Sequence, residues 1–322
     1  MDLNENVSCQ FMLFTGYNVK HLRPMRWYSL LLILSVLLVG PVVDSQAQVA
    51  TSTPSLRLAT RQFQAPDGMP YLEVQAEFLG NSVTWLAEGD SVFRAAVRWT
   101  VIAYDSAGTV AGFVKSTART GPLLVQGDFV DVARMELAPG PHVLELEVED
   151  IGAPERQHLE YETVVDVSAP AKLDISDLFV VQGVAPASNP PSPLTRSGKD
   201  ILPLLDRRIS AEASRIPFYC ELYGTEDVFG ASGAFLVVAG FRSLEGDKGW
   251  ATETKRFFRM TAAPVLPFLE ALPAPPAGAF ELVVQIMTPE QELLVSNAVG
   301  LECVSEAAQD AAVAAGSLAP FV

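Results

Sequence analysis

Bases, histidine and cysteine are all scarce in this chain of 322 residues. Lys and Arg number 22 against 38 Asp and Glu, with three His and three Cys. The formal charge of −16 excludes broad contact with nucleic acid or anionic lipid, which needs basic patches. It suits a self-repelling chain or one facing a basic partner. After His21 only His142 and His158 remain. No His pair has zinc spacing, and no two cysteines form a metal half-site. Gly230-Ala231-Ser232-Gly233 is not the Gly-x-Ser-x-Gly of a nucleophile elbow. Ser197-Gly198-Lys199-Asp200 lacks the first glycine and final hydroxyl of a phosphate loop. These absences argue against an enzyme and against a metal or other cofactor.

A long apolar run is also missing. Tyr28 to Val43 is uncharged but only 16 residues long, short of the about 20 that span a bilayer. Arg23 and Arg26 precede it and Ser45-Gln46-Ala47 follows, a small-x-small cleavage pattern. Residues 1–47 therefore read as a secretory signal peptide, with membrane contact only in transit. Met25 is the more usual start, so 1–24 read as an over-extended gene start. The rival reading is an uncleaved signal anchor. Cleavage leaves 275 residues (322 − 47).

What is present is strict alternation between Pro/Gly turns. Leu137-Ala138-Pro139-Gly140-Pro141-His142 opens the alternating run Val143–Asp150. Leu272-Pro273-Ala274-Pro275-Pro276-Ala277-Gly278 opens Ala279–Ile286. The pattern is that of half-buried antiparallel strands, and its recurrence predicts two similar modules. Turns recur about every ten residues with no helical period, the signature of β-sandwiches. The fold class read here is all-β: two tandem immunoglobulin-like antiparallel β-sandwiches after a signal peptide. The first spans 55–168 and the second 172–304, with an Ala-rich tail at 305–322 that reads as a frayed helical turn or an unstructured end. In the first, Leu72, Val74, Ala76 and Phe78 face the core, and Glu73, Gln75 and Glu77 face away. Trp99 belongs to the core set with Val97 and Val101.

The second module contains a long Pro- and Ser-rich excursion, 182–217. Connections of that length are uncommon inside domains. It is basic in an acidic chain and reads as a solvated hairpin clamped by Ile201, Leu202, Leu204 and Leu205; the alternative is a partner-docking surface formed by Arg196, Lys199, Arg207 and Arg208. Cys220 and Cys303 both point inward on predicted strands. They are either bridged, as an oxidising compartment permits, or two separate buried thiols. His142 and His158 read as surface residues. Glu145, Glu147 and Glu149 read as a solvated strand face that discourages edge pairing. Of Trp85, Trp99, Tyr71 and Trp250, Trp85 is the best surface aromatic for a sugar platform.

The runs Ile175–Leu178, Ser192–Pro203 and Ile216–Tyr223 resemble the region preceding the C-terminal module of the bacterial GWxTD-domain proteins. Asp67-Gly68-Met69-Pro70-Tyr71-Leu72-Glu73-Val74 resembles the start of their N-terminal β-module. The resemblance implies an exported protein of a Gram-negative bacterium, periplasmic or secreted, and no established activity. The module that names the family does not follow the second sandwich. Gly249-Trp250-Ala251-Thr252-Glu253 carries Glu for the motif's Asp and reads as a turn entering a strand. The expectation is a non-enzymatic scaffold or adaptor of the envelope, binding an unidentified envelope protein or a glycan. The alternative is a pair of accessory β-domains for a hydrolase-like system whose active module is missing or on another chain.

Overall fold

The computed structural model describes residues 53–305, apart from 90–91, 154–157, 232, 246–248, 253 and 260–262. The signal-peptide segment, the tail beyond 305 and the Gly246–Lys248 turn lie outside the described residues.

The first module holds β1 (Leu56–Gln64), β2 (Pro70–Phe78), β3 (Leu86–Glu88), β4 (Val92–Arg94), β5 (Ala96–Tyr104), β6 (Val110–Arg119), β7 (Phe129–Glu136), β8 (Gly140–Asp150) and β9 (His158–Val167). One sheet runs β1-β2-β7 and the other β6-β5-β8-β9, with β3-β4 a separate hairpin. The turn signals act as read. Asp105 Oδ1 accepts from the N–H groups of Ala107 and Thr109, both at 2.9 Å, closing β5 onto β6. The core between the sheets gathers Leu72, Val74, Phe78, Val97, Trp99, Leu144 and Leu146. Trp99 is 1% exposed. Its indole N–H donates to Asp131 at 2.8 Å, so the one polar atom of the ring is satisfied inside.

The second module holds β10 (Asp174–Ile175), β11 (Phe179–Pro186), β12 (Thr195–Arg196), β13 (Lys199–Pro203), β14 (Arg208–Ser210), β15 (Arg215–Tyr223), α1 (Thr225–Phe229), β16 (Phe235–Ser243), β17 (Lys255–Arg259), β18 (Val265–Pro273), β19 (Gly278–Met287) and β20 (Leu293–Val304). Both β10 and β11 pair with one edge of β15, and β18 pairs with the other. The facing sheet runs β14-β20-β19-β16-β17.

Setting β12 to β14 aside, the two modules share one topology. The order β1-β2-β7 corresponds to β10/β11-β15-β18, and β6-β5-β8-β9 to β17-β16-β19-β20. Three strands face four, the layering of an immunoglobulin-like sandwich. The repeated Pro/Gly signature falls at matching places, the start of β8 and of β19. Gly140 (φ 125°) and Gly278 (φ 144°) stand there in a region closed to most side chains.

The excursion is built, not loose. β11 continues to Pro186 and pairs with β13, β12 folds back on β13, and β14 lies parallel to β20. Along Phe93–Tyr104 the chain is interrupted at Ala95, where β4 leaves to pair with β3. No helix among the described residues is long and apolar enough to cross a membrane.

Trp99→Ala is expected to destabilise the chain by roughly 3–5 kcal/mol, as for other buried large aromatics. A urea titration that left the midpoint unmoved would place Trp99 outside the core.

Candidate functional site

The outward face of β1-β2-β7 is the part of the fold where charge concentrates. It carries Arg57, Arg61 and Phe63 from β1, Tyr71, Glu73, Gln75 and Glu77 from β2, and Arg134 and Glu136 from β7. The sequence reading gave Glu73, Gln75 and Glu77 to an outward polar face. The structure covers them with the second module: Glu73 and Gln75 are each 1% exposed. A polar face of period two reads the same whether water or another polar surface lies against it.

Arg196 is the side chain that closes this seam. Its guanidinium carbon lies 4.2 Å from the Phe63 ring centroid and 5.5 Å from that of Tyr219. It ion-pairs with Glu73 and, at 3.4 Å, with Glu221. Around it, Phe63, Phe179, Val181, Ile201 and Tyr219 form a small cluster drawn from both modules. Tyr219 and Tyr223 donate to the two oxygens of Glu221 at 2.7 and 2.8 Å. Glu73 also accepts from Arg134 at 2.8 Å and from Gln75 at 2.7 Å. Arg134 reaches on to the carbonyl of Pro193 at 2.6 Å. Beside this knot, the backbone of Gln62 exchanges hydrogen bonds with Asp177, and the Gln64 N–H donates to the Tyr223 hydroxyl oxygen at 3.0 Å.

The electrostatics follow from that density. Burial raises the Glu73 pKa, but the charges of Arg196 and Arg134 outweigh it and hold the carboxyl below its ordinary value. Burial works against the Arg196 charge, and Glu73 first among its neighbours reverses this and raises its pKa. Burial and the neighbouring Glu221 push both tyrosine hydroxyls up, so they stay donors. A buried network of this kind, in which the charges of Arg196, Glu73 and Glu221 are all partnered, fixes a geometry rather than offering a reactive group.

The docking cluster read from the sequence is therefore dispersed. Arg196, taken as an exposed docking residue, is a buried tie between modules. Arg208 is half-buried and pairs with Asp206 at 2.8 Å. Lys199 and Arg207 are exposed. Tyr71, Glu73 and Glu221 were not singled out as a group, and nothing in the Pro-, Ser- and Lys-rich sequence around Arg196 signals it.

Other readings also change. Cys220 and Cys303 are free and buried, on separate sheets. Burial, with Glu221 next, pushes the Cys220 thiol up, and burial pushes Cys303 up to about 11; neither is a ready nucleophile. His142 is 4% exposed, on β8, with Nδ1 2.9 Å from the Gly140 carbonyl, not a surface turn residue. His158 is exposed beside Glu160 at 2.9 Å. Glu145 accepts from the Tyr104 hydroxyl at 3.0 Å, and Glu149 pairs with Arg98 at 2.7 Å. Trp85 is half-buried: its N–H donates to the Gly80 carbonyl at 2.7 Å and its ring meets Phe129 edge-on. Trp250 lies over Gly240, where a Cβ would stand 3.0 Å from its ring. No group of three or more His, Cys, Asp or Glu among the described residues could hold a metal ion.

The second feature is an open cleft of about 480 Å³ beside the edges of β6 and β7, which meet where the Ser116 hydroxyl donates to Asp131 at 2.9 Å. Tyr71, Gly112, Phe113, Val114, Arg134, Met135 and Glu136 line it, and Phe113 is 67% exposed at its rim. The matching edges of the second module, β17 and β18, are tied together. Arg259 pairs with Glu270 at 3.1 Å and lies over Phe257 and Phe268, and Lys255 donates to the Ala271 carbonyl at 3.0 Å.

No family model matches this sequence, and no curated protein matches it. A crystal structure of red sea bream transglutaminase is similar over 77% of this chain and 31% of that one, at 11% identity and a TM-score of 0.22. No argument about this chain follows from so distant a likeness.

Two outcomes are expected at the seam. Arg196→Ala leaves two buried carboxylates short of their cation and should cost about 3–5 kcal/mol, while Arg196→Met with Glu73→Gln and Glu221→Gln should recover much of it; equal loss in both by urea denaturation would show that packing, not charge, is what Arg196 supplies. Glu73 has a lowered pKa, so its contribution is present above its ordinary value of 4.5 and lost as pH falls below it. The loss of stability between neutral pH and about pH 3.5 should therefore be smaller in Glu73→Gln than in the parent, and an unchanged acid limb would remove Glu73 from the seam.

Proposed function

We propose that this chain is a non-enzymatic scaffold or adaptor, exported to the periplasm or beyond, that binds a protein partner through its first sandwich. The observation that carries this is the contrast between the two modules. The same pair of sheet edges is bridged by charged ties in the second, whereas in the first it is joined at Ser116 and Asp131 and leaves a cleft further along. Free edges expose unpaired backbone groups, and an extended segment of a partner can add to them. Tyr71, Phe113 and Val114 offer apolar contacts there, and Arg134 and Glu136 offer polar ones. The seam supports the same reading, because its charged groups are spent on holding the modules together. The glycan variant loses support, since Trp99 is core and Trp85 is drawn half inside. The signal-peptide pattern and the resemblance to GWxTD-domain proteins support export.

The test places a photo-activated cross-linking residue at Glu136 and, as a control, at Phe258 on the second module. A discrete adduct is expected at 136 only, and Phe113→Asp should abolish it. Adducts at both positions, or one indifferent to Phe113→Asp, would remove the cleft from the proposal. Export is checked separately: the mature chain should begin at Gln48 by mass spectrometry, and recovery with Tyr28–Val43 attached would count against it.

A further inference from the structure

The edge of β6 beside the cleft has a floor without a side chain. Among the described residues β6 pairs only with β5, so the backbone groups along its other side have no strand partner. Gly112 stands opposite Ala103 and Val114 opposite Val101, both core residues, so this side of β6 faces inward. Phe113 stands opposite Ile102 on the outer face. A Cβ at 112 would lie 3.4 Å from Leu137 Cδ2 and 3.8 Å from Met135 Cβ, ordinary contact distances. Gly112 also has no positive φ. Neither backbone strain nor a clash calls for glycine here. What the missing side chain supplies is room, and the cleft lies over it.

The charge around this room has one sign. On the β7 wall the Arg134 cation is spent on Glu73, while Glu136 is exposed and has no ion pair or side-chain hydrogen bond among the described residues. Beyond Phe113 the outer face of the sheet is acidic. The cross-strand row Phe113-Ile102-Glu145-Glu162 lies beside the row Lys115-Thr100-Glu147-Glu160, in which Lys115 is the one base. Glu145 is thus directly opposite Glu162, and Glu147 opposite Glu160. Like charges so placed cost stability. The fold does not require them. Counted from the matching Gly140 and Gly278, Glu145 and Glu147 correspond to Val283 and Gln285, whose cross-strand partners are Ala298 and Ser296. The acidic face and the cleft occur together in the first module, and the second has neither.

We propose, resting on the cleft being the partner's site, that its occupant is a basic β-strand of the partner protein added to the free edge of β6. Successive side chains of a strand point to opposite faces. Those turned inward are apolar and fill the room over Gly112, against Val114 and Met135. Those turned outward are Lys or Arg and extend the outer face past Phe113. Main-chain hydrogen bonds hold such a segment, and the alternation selects it. Glu136 acts on the bound strand, since it lines the cleft itself. Glu145 lies three strand spacings from the added strand, about 14 Å. That exceeds the screening length of about 8 Å at physiological salt. The outer glutamates therefore act on the rate of encounter rather than on the seated strand.

The probes are three synthetic heptapeptides: Lys and Val in alternation, Glu and Val in alternation, and the Lys/Val composition arranged in two blocks. Binding to the full chain is followed by fluorescence anisotropy and stopped flow at low and high salt. The alternating Lys/Val peptide is expected to bind tighter than either control by about tenfold or more, and to slow amide hydrogen exchange along β6. Glu136→Gln should speed its dissociation. Glu145→Gln with Glu162→Gln should slow its association at low salt and leave dissociation unchanged. Gly112→Val should abolish binding by filling the floor; if that variant does not fold, Gly112→Ala, whose Cβ fits at contact distance, should weaken it. Equal binding of the block peptide would reduce the effect to charge alone and overturn strand addition. Equal binding of the Glu/Val peptide would overturn the basic character of the partner. Failure of all three peptides, with a cross-linked adduct at position 136 still lost in Phe113→Asp, would overturn this occupant and leave the cleft as the partner's site. Failure of both peptides and adduct would remove the cleft as well.

Discussion

Burying one guanidinium between two aromatic rings and two carboxylates is the constraint on which the arrangement of the chain depends. Arg196 cannot lose any of these contacts cheaply, because each leaves a charge stranded in a low-dielectric seam. Glu73 belongs to the first module and Glu221 to the second, so satisfying Arg196 requires both at once. The hairpin of β12 and β13 exists to deliver that side chain, and it also lays Pro193 against Arg134. The apolar part of the seam is small, so orientation rests on directional polar contacts.

The duplicated topology gives the chain an internal comparison. Both modules set three strands against four in matching order, and both begin the corresponding strand at a positive-φ glycine after a proline-rich turn. They differ where each has been adapted. The second module receives an inserted segment between its first two strands and closes its free edges with Arg259 and Lys255. The first joins its edges through Ser116 and Asp131, leaves a cleft beside them, and gives its outer face to the seam. Divergence within a repeat marks places under separate demands more sharply than either module does alone.

Much of the fold was legible in the residues themselves. Alternation placed Leu72, Val74 and Trp99 in a core, and the two Pro/Gly runs at strand starts. The seam was not legible, for a physical reason. Glu73-Val74-Gln75-Ala76-Glu77 alternates in the same way whether its polar side meets water or another module's polar atoms. Arg196 stands among Pro, Ser and Lys, the composition of a solvated loop, and only its three-dimensional neighbours reveal it as interior. His142 misled in the same manner, since the proline beside it signals a turn while the strand begins two residues earlier. The cleft beside β6 and β7, which lacks the charged ties found between β17 and β18, depends on contacts between strands distant in sequence and leaves no local trace.

The position of the tie along the chain also sets an order of events. The first sandwich ends at Val167 and the module that covers it runs on to Val304. At common synthesis rates of about 5–20 residues per second, the first sandwich is complete for on the order of ten seconds before its cover is made. Throughout that interval it is a free-standing domain with Phe63 and an acidic strand face uncovered. Polar decoration of that face, rather than an apolar stripe, keeps such an early intermediate dissolved. The seam's chemistry is thus suited to waiting as well as to closing.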